Sequence, residues 1–120
     1  MKLDRKQWIK KLDKLASEVV KKRDKACLRC FKETDLQCAH IISRSHFNTR
    51  WDMDNLLTLC RGCHYTFAHK EPLEFAEFVK EKLGDKKYQH LRMRGQMVGV
   101  KPDYSAIELY LNQKEKEPLF

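Results

Sequence analysis

Two Cys-x-x-Cys pairs constrain the fold of this chain more than any other feature of its sequence. Each pair can bring two thiolates to one side of a tight turn, and two such turns complete a tetrahedral shell around Zn²⁺. The four cysteines are Cys27, Cys30, Cys60 and Cys63. In a cytosolic protein this spacing favours a metal over disulfides, and the alternative is a set of buried cysteines without a metal. Because four thiolates leave no open position for water, we expect a structural zinc.

The stretch between the two pairs predicts a β-hairpin. Residues 31–59 separate the pairs, and a zinc ribbon would need only about 15 to 20. Strand-like runs occupy residues 36–42 and 56–59. Between them, residues 43–55 combine Ser, Asn, Thr and Asp with Arg44, Arg50 and Trp51, which indicates an ordered functional loop rather than a linker. Cys38 lies outside the paired pattern and is interpreted as a strand residue.

Helical patterns flank this central region. Residues 4–24 predict an amphipathic helix that Asp4 can cap, with Trp8, Leu12, Leu15 and Val19 along one apolar face. Toward the other end, Pro72 suits the first turn of a helix that stops at Gly84, and Asp85 and Asp103 are candidate caps of two more. We predict one α+β domain over residues 1–120, with a basic helix at 1–25, a zinc core at 26–70 and a helical extension at 71–120.

The charge balance indicates a polyanionic partner. The chain has 25 Lys and Arg against 17 Asp and Glu, a formal charge of +8, and nucleic acid is the obvious candidate. Much of the excess lies in residues 1–25, for which the alternative is a solvated helix face. The sequence shows neither an apolar run of about 18 residues nor a signal peptide. We therefore expect no membrane contact and a cytoplasmic location, that of the host cell if a phage encodes the chain.

Four motifs between Cys27 and His69 resemble those of the HNH (ββα-metal) endonuclease family. They are C-L-R-C, C-A-H-I-I, D-N-L-L-T-L-C and C-R-G-C-H-Y. The resemblance implies metal-dependent hydrolysis of DNA phosphodiesters by a small ββα core. It makes His40 the general base that deprotonates the attacking water. It further implies that Asn55 bonds across the loop and orients that base, and that His64 binds a catalytic Mg²⁺, Mn²⁺ or other divalent ion.

The second ligand of that ion is less clear from the sequence. Many HNH enzymes place Asp or His directly before the general base, where this chain has Ala39. His69 is the nearest spare candidate, but it lies five positions after His64 and shares a helix face with it only if the turn is irregular. Three arginines flank the constellation and are candidate phosphate contacts, with Arg44 as the strongest clamp. They are Arg44, Arg50 and Arg61.

A narrower resemblance extends beyond these motifs. The runs Q-C-A-H-I-I-S-R-S, T-R-W-D-M-D-N and L-C-R-G-C-H, followed by F-V-K-E-K-L-G, are similar to the NinG/Rap recombination nucleases of lambdoid phages. That family implies branched DNA as substrate and makes a small residue before the His ordinary. Two alternatives remain open: a duplex-cutting phage HNH endonuclease of the homing or packaging type, and a zinc-dependent DNA-binding module without catalysis. A homodimer would suit a two-fold junction.

Overall fold

The computed structural model describes residues 2–99 and 101–117 of the chain. The elements in chain order are α1 (Arg5–Asp24), β1 (Leu36–His40), β2 (Leu56–Cys60), α2 (Arg61–Cys63), α3 (Pro72–Leu83), α4 (Asp85–Gly95) and α5 (Tyr104–Lys116). A 3-10 turn, Met53–Asn55, precedes β2, and a π-helical segment, His64–His69, continues α2 without a break. The predicted α+β class is confirmed. Residues 1, 100 and 118–120, which fall within the predicted 1–25 and 71–120 segments, lie outside the described residues.

The two strands form the predicted hairpin at the centre of the fold. They pair antiparallel, with Leu36 opposite Cys60 and His40 opposite Leu56. All five residues of β2 are buried, because helices cover both faces of the hairpin. A largely apolar run, interrupted here by Thr58, is typical of a strand that is buried on both faces.

Two apolar clusters meet at β2. On one side, Leu57 and Leu59 pack with Phe67 of the π-helical segment and Val79 of α3. On the other side, Leu56 packs with an apolar face of α1 and with α5. The buried residues of α1 in this second cluster are Leu12, Ala16, Val19 and Val20. The hairpin and its turns are therefore held between a layer on the side of the cysteines and a layer made of the first and last helices.

The predicted first helix is confirmed. Asp4 caps α1 by accepting a hydrogen bond from the Gln7 backbone N–H at 2.8 Å, and the Gln7 side chain accepts one from the Asp4 N–H at 2.9 Å. This reciprocal pair satisfies two donors that a helix start otherwise leaves unpaired. The far end of α1 is bound to β2, since the Thr58 N–H donates to the Asp24 carboxylate at 2.9 Å.

The predicted helix boundaries after the core are confirmed except at one position. Pro72 begins α3, Gly84 (φ 84°) follows its last residue, and Asp103 caps α5 by accepting from the Ala106 N–H at 3.1 Å. The prediction that Asp85 caps α4 is wrong. Asp85 is already the first helical residue, because Gly84 alone turns the chain from α3 into α4 and itself occupies the cap position.

The predicted strand at residues 36–42 ends earlier, at His40. The reason is that the side chain of Asn55 bonds both the N–H and the carbonyl of Ile42, so these groups no longer pair with a partner strand. In the described part of the chain, no helix combines the length and the apolar character that a membrane crossing requires.

Candidate active site and zinc centre

The two cysteine pairs come together as the sequence predicts. The four Sγ atoms lie within 4.8 Å of one another, and those of Cys30 and Cys60 are 3.7 Å apart. A tetrahedron with Zn–S distances of about 2.3 Å has edges of about 3.8 Å. The cluster therefore has the dimensions and the donor chemistry of a four-thiolate zinc site.

The local backbone prepares this cluster. Phe31 adopts a left-handed conformation (φ 68°) and donates its N–H to the Cys27 carbonyl at 2.9 Å, which closes the first turn. The Leu28 N–H donates to the Thr58 carbonyl at 3.0 Å and so attaches that turn to β2. The second pair spans the junction of β2 and α2, where the Cys60 sulfur accepts from the Cys63 N–H at 3.4 Å. Residues far apart in sequence thus present their sulfurs to one point.

The electrostatics of the cluster oppose ionisation of all four thiols in the absence of a cation. Burial opposes ionisation of Cys27, but backbone N–H groups at Cys30 and Cys60 lower the pKa of its thiol to about 6. By contrast, burial and the neighbouring sulfurs raise the pKa of the Cys63 thiol to about 12. Four thiolates can therefore coexist here only around a cation, and Zn²⁺ would supply that charge.

His40, the last residue of β1, is held in one proton arrangement. Its Nε2 lies 3.0 Å from the carbonyl oxygen of Arg50. Because a carbonyl only accepts, Nε2 carries the proton and Nδ1 keeps the lone pair. Burial lowers the pKa of His40 below its usual value, the Arg50 carbonyl opposes this, and the nearby charge of Arg44 lowers it further. A half-buried imidazole that is neutral near pH 7 with one free lone pair can accept a proton.

Asn55 fixes the loop that supplies this carbonyl. Its side chain is fully buried. The amide oxygen accepts from the Ile42 N–H at 2.6 Å, and the amide nitrogen donates to the carbonyls of Ile42 at 3.1 Å and Thr49 at 2.9 Å. Thr49 directly precedes Arg50, whose carbonyl accepts from His40. Asn55 therefore bonds across the loop, and it acts on His40 through the neighbouring peptide rather than by direct contact.

Arg50 is engaged in holding this loop against α1. Its guanidinium donates to both carboxylate oxygens of Asp13, at 2.9 and 2.6 Å, and to the Arg44 carbonyl at 3.1 Å. Trp51 Nε1 donates to the same carboxylate at 2.8 Å. Burial opposes ionisation of Asp13, but its bonds to Arg50 and Trp51 hold its pKa below the usual value. Arg44 and Arg61 are exposed, so of the three predicted phosphate contacts they are the better placed for an external phosphate.

His64 is oriented by a residue that the sequence analysis did not select. Its Nδ1 lies 2.8 Å from Oε1 of Gln37, on β1. The amide oxygen accepts, so Nδ1 carries the proton and Nε2 keeps a lone pair for a metal. Burial, the neighbouring His69 and the charge of Arg44 all lower the pKa of His64. Arg44 thus lowers the pKa of both His40 and His64, and Gln37 lines the clefts that contain these two histidines.

The π-helical segment brings His69 beside His64. Their ring centroids are 4.8 Å apart. Residues five apart differ by about 140° around an α-helix, whereas the wider turn of a π-helix, with its i→i+5 hydrogen bonds, brings them closer to one face. The two imidazoles line a cleft of about 700 Å³ together with Gln37 and Arg61. They could hold a divalent ion through two nitrogens. Ala39, at the position where many HNH enzymes have a metal ligand, is buried, with 1% of its surface exposed.

The hairpin, the helical segment after it and the four-cysteine cluster form one core that additional helices flank, an arrangement consistent with a small zinc-bound HNH core. Residues 25–70 match the model of the HNH endonuclease family, which is fewer than half of the 120 residues. The matched segment contains both cysteine pairs, His40, Asn55, His64 and His69. No curated protein and no solved structure gives a match.

Proposed function

We propose that this chain is a metal-dependent HNH endonuclease that hydrolyses phosphodiester bonds in DNA. One observation carries the proposal: Nε2–H of His40 donates a hydrogen bond to the Arg50 carbonyl, which leaves Nδ1 as a proton acceptor. This arrangement lies inside the segment that matches the HNH family. The formal charge of +8 agrees with a polyanionic substrate.

The proposed mechanism assigns a separate task to each residue around His40. Nδ1 of His40 accepts the proton of the water that attacks phosphorus. Arg44 is exposed, and its charge lowers the pKa of both His40 and His64. It binds a nonbridging oxygen of the phosphate. His64 and His69 would hold Mg²⁺, Mn²⁺ or another divalent ion. When bound, such an ion stabilises the negative charge that develops at the phosphate and on the leaving oxygen.

Two supporting residues keep these groups in position. Asn55 fixes the loop whose carbonyl orients His40, and Gln37 keeps the Nε2 lone pair of His64 available. The zinc at the four cysteines would act on the fold alone, because its shell has no open position. The four cysteines therefore need not contact the substrate.

The experiment compares the purified protein with His40→Ala on a labelled four-way junction and on a matched linear duplex. Each reaction contains Mg²⁺, Mn²⁺ or EDTA, and products are separated on a denaturing gel. We expect metal-dependent cleavage that falls about 10²- to 10⁴-fold in the variant, the usual contribution of a general base. Cleavage that persists in EDTA or survives the substitution would contradict the mechanism.

Branched DNA is our narrower substrate proposal. It rests on the NinG/Rap-like motifs around His40, Asn55 and Cys60 and on no other observation, as do a role in phage recombination and a homodimer that matches a two-fold junction. The cytoplasmic location likewise stays a prediction. Preferential cutting of the junction in the same assay would support the narrower proposal, whereas equal cutting would favour an enzyme of ordinary duplex DNA.

One observation favours a second function, a zinc-dependent DNA-binding module without catalysis. Ala39 occupies the position of a common metal ligand and is packed in the core, which leaves the histidine pair as the protein's ligands. Zinc-dependent DNA binding with no cleavage in any of the metals would select this alternative.

A further inference from the structure

The general base lies in a cleft that the matched HNH segment does not form alone. The cleft has a volume of about 280 Å³ and contains His40 and Arg44 on one side. Its other wall is α1, which contributes Ser17 and Lys21. Because α1 precedes residues 25–70, this wall lies outside the segment that carries the family motifs.

The charges that line the cleft favour an anion. There are three cationic side chains and one carboxylate, a formal balance of +2. The carboxylate, Asp13, is already paired with Arg50 at 2.6 Å. Among the ion pairs of residues 2–99 and 101–117, none involves Lys21 or Arg44. Two cationic groups therefore remain to attract a ligand, one on each wall.

Lys21 is the last member of a polar stripe along α1. Its four residues follow the i, i+4, i+7, i+11 spacing of a single helix face. They are Lys10, Lys14, Ser17 and Lys21. At a rise of 1.5 Å per residue the stripe is about 16 Å long, so it can contact more than one phosphate of a DNA strand. We call these four residues the cleft-side stripe.

The lysines on the opposite flank of α1 are engaged elsewhere. Lys11 Nζ forms an ion pair with Glu108 of α5 at 2.5 Å, and Lys22 Nζ donates to the Glu115 carbonyl at 3.3 Å. Lys11 and Lys22 thus contact α5, whereas Lys21 borders the cleft and shares its helix face with Lys10 and Lys14. This division argues against a uniformly solvated basic face.

We propose that the cleft-side stripe binds the phosphodiester backbone of the DNA strand, with Ser17 and Lys21 opposite Arg44, and so positions the phosphate at His40. The inference rests on the proposed function and extends it to α1. Lysine and serine contacts to phosphate carry no base information, so the stripe fixes register and orientation without choosing a sequence.

The test compares Lys21→Gln with Lys22→Gln, which remove the same charge from adjacent positions of one helix. DNA affinity is measured by fluorescence anisotropy over a range of salt concentrations, and kcat/KM is measured for cleavage. We expect Lys21→Gln to weaken binding about tenfold, as loss of a charged hydrogen bond does. Its plot of log affinity against log salt should become shallower by about 0.9, the value for one lost phosphate contact. Lys22→Gln should leave that slope unchanged.

Each result decides the inference. Thermal unfolding midpoints serve to check that both variants are folded. Lys14→Gln tests a second member of the stripe, with the same expected loss of affinity. Equal affinities and slopes for Lys21→Gln and Lys22→Gln would overturn the role of the stripe even if the wild type cleaves DNA. Conversely, a wild type that binds DNA but never cleaves it would contradict the proposed catalysis, while the binding comparison would still decide the role of the stripe.

Discussion

Two histidines of the candidate site are held as opposite neutral tautomers by different neighbours. His40 donates a hydrogen bond from Nε2–H to a main-chain carbonyl, and His64 donates one from Nδ1–H to the amide oxygen of Gln37. Each ring therefore keeps one lone pair. The acceptor for His40 lies in the loop between the strands, and the acceptor for His64 lies on β1. A single residue type thus serves as proposed base and proposed metal ligand, because the hydrogen bond on the far nitrogen selects which atom is free.

The pH dependence of cleavage follows from the state of His40. Burial, opposed by the Arg50 carbonyl and assisted by the charge of Arg44, lowers its pKa below 6.5, and only the neutral ring can accept a proton. The profile of log kcat/KM should therefore rise with pH, with its midpoint below the ordinary pKa of a histidine, about 6.5. Arg44→Gln removes one cause of the lowered pKa, so the rise should move toward higher pH in that variant.

Loss of a phosphate contact alone would reduce the Arg44→Gln rate at every pH without moving the profile. The measurement is kcat/KM from about pH 5 to pH 8 in both proteins at saturating metal. A profile that keeps its position in Arg44→Gln would contradict the assigned electrostatic effect on His40.

At the scale of elements, the helix after β2 can contribute two histidines to one site because its helical pitch changes along its length. Arg61–Cys63 is α-helical and His64–His69 is π-helical, and the change of pitch aligns two histidines that an α-helix would separate. The segment also carries the second cysteine pair at its start and Phe67 in the core. One short stretch therefore contributes to the zinc cluster, the core and the proposed metal pair.

Substitution of His69 tests the paired site that this pitch creates. We expect His69→Ala to raise the Mn²⁺ concentration needed for half-maximal cleavage at least tenfold, since one of two protein ligands is lost. His90→Ala is the matched control, because His90 is exposed on α4. A metal titration that gives the same midpoint for His69→Ala and the control would show that His69 is not a ligand.

The sequence predicts those elements whose signals are local. Paired cysteines report a metal cluster, and Asp103 reports a helix cap, because each requires only a few neighbouring residues. The pitch of residues 64–69 has no comparable local signal, since it depends on how Phe67 and the cysteines pack. The same holds for Arg50, whose assignment to phosphate overlooked Asp13 on a separate helix, and for Gln37, which is recognisable only once β1 faces the π-helical segment.

At the scale of the whole molecule, β2 joins two layers with different sources of stability. On one side lie the four-cysteine cluster and α3, and on the other lie α1 and α5. Every residue of β2 is buried between them, so neither layer can separate without exposing this strand. We expect the chain to unfold as one unit, as single domains of this size usually do.

Zinc removal should therefore destabilise both layers together. Cys60→Ser should lose the ion and much of the about 10 kcal/mol or more that such an ion contributes to folding, leaving a largely unfolded chain. Cys38→Ser is the control, because Cys38 packs against the second cluster and lies outside the metal group. Zinc content by mass spectrometry and thermal unfolding by circular dichroism provide the measurement. A Cys60→Ser protein that melts like the control would contradict a structural zinc.

The link from Asp13 to Arg50 and Trp51 bears on the modularity of the chain. The residues with the family signature lie within 25–70, but the carboxylate that immobilises the loop beside His40 comes from α1. The segment defined by sequence similarity therefore excludes a residue on which the position of the His40 loop depends. Transplanting residues 25–70 into another protein would transfer every signature residue yet leave behind the anchor of the loop, so the smallest transferable unit begins at α1.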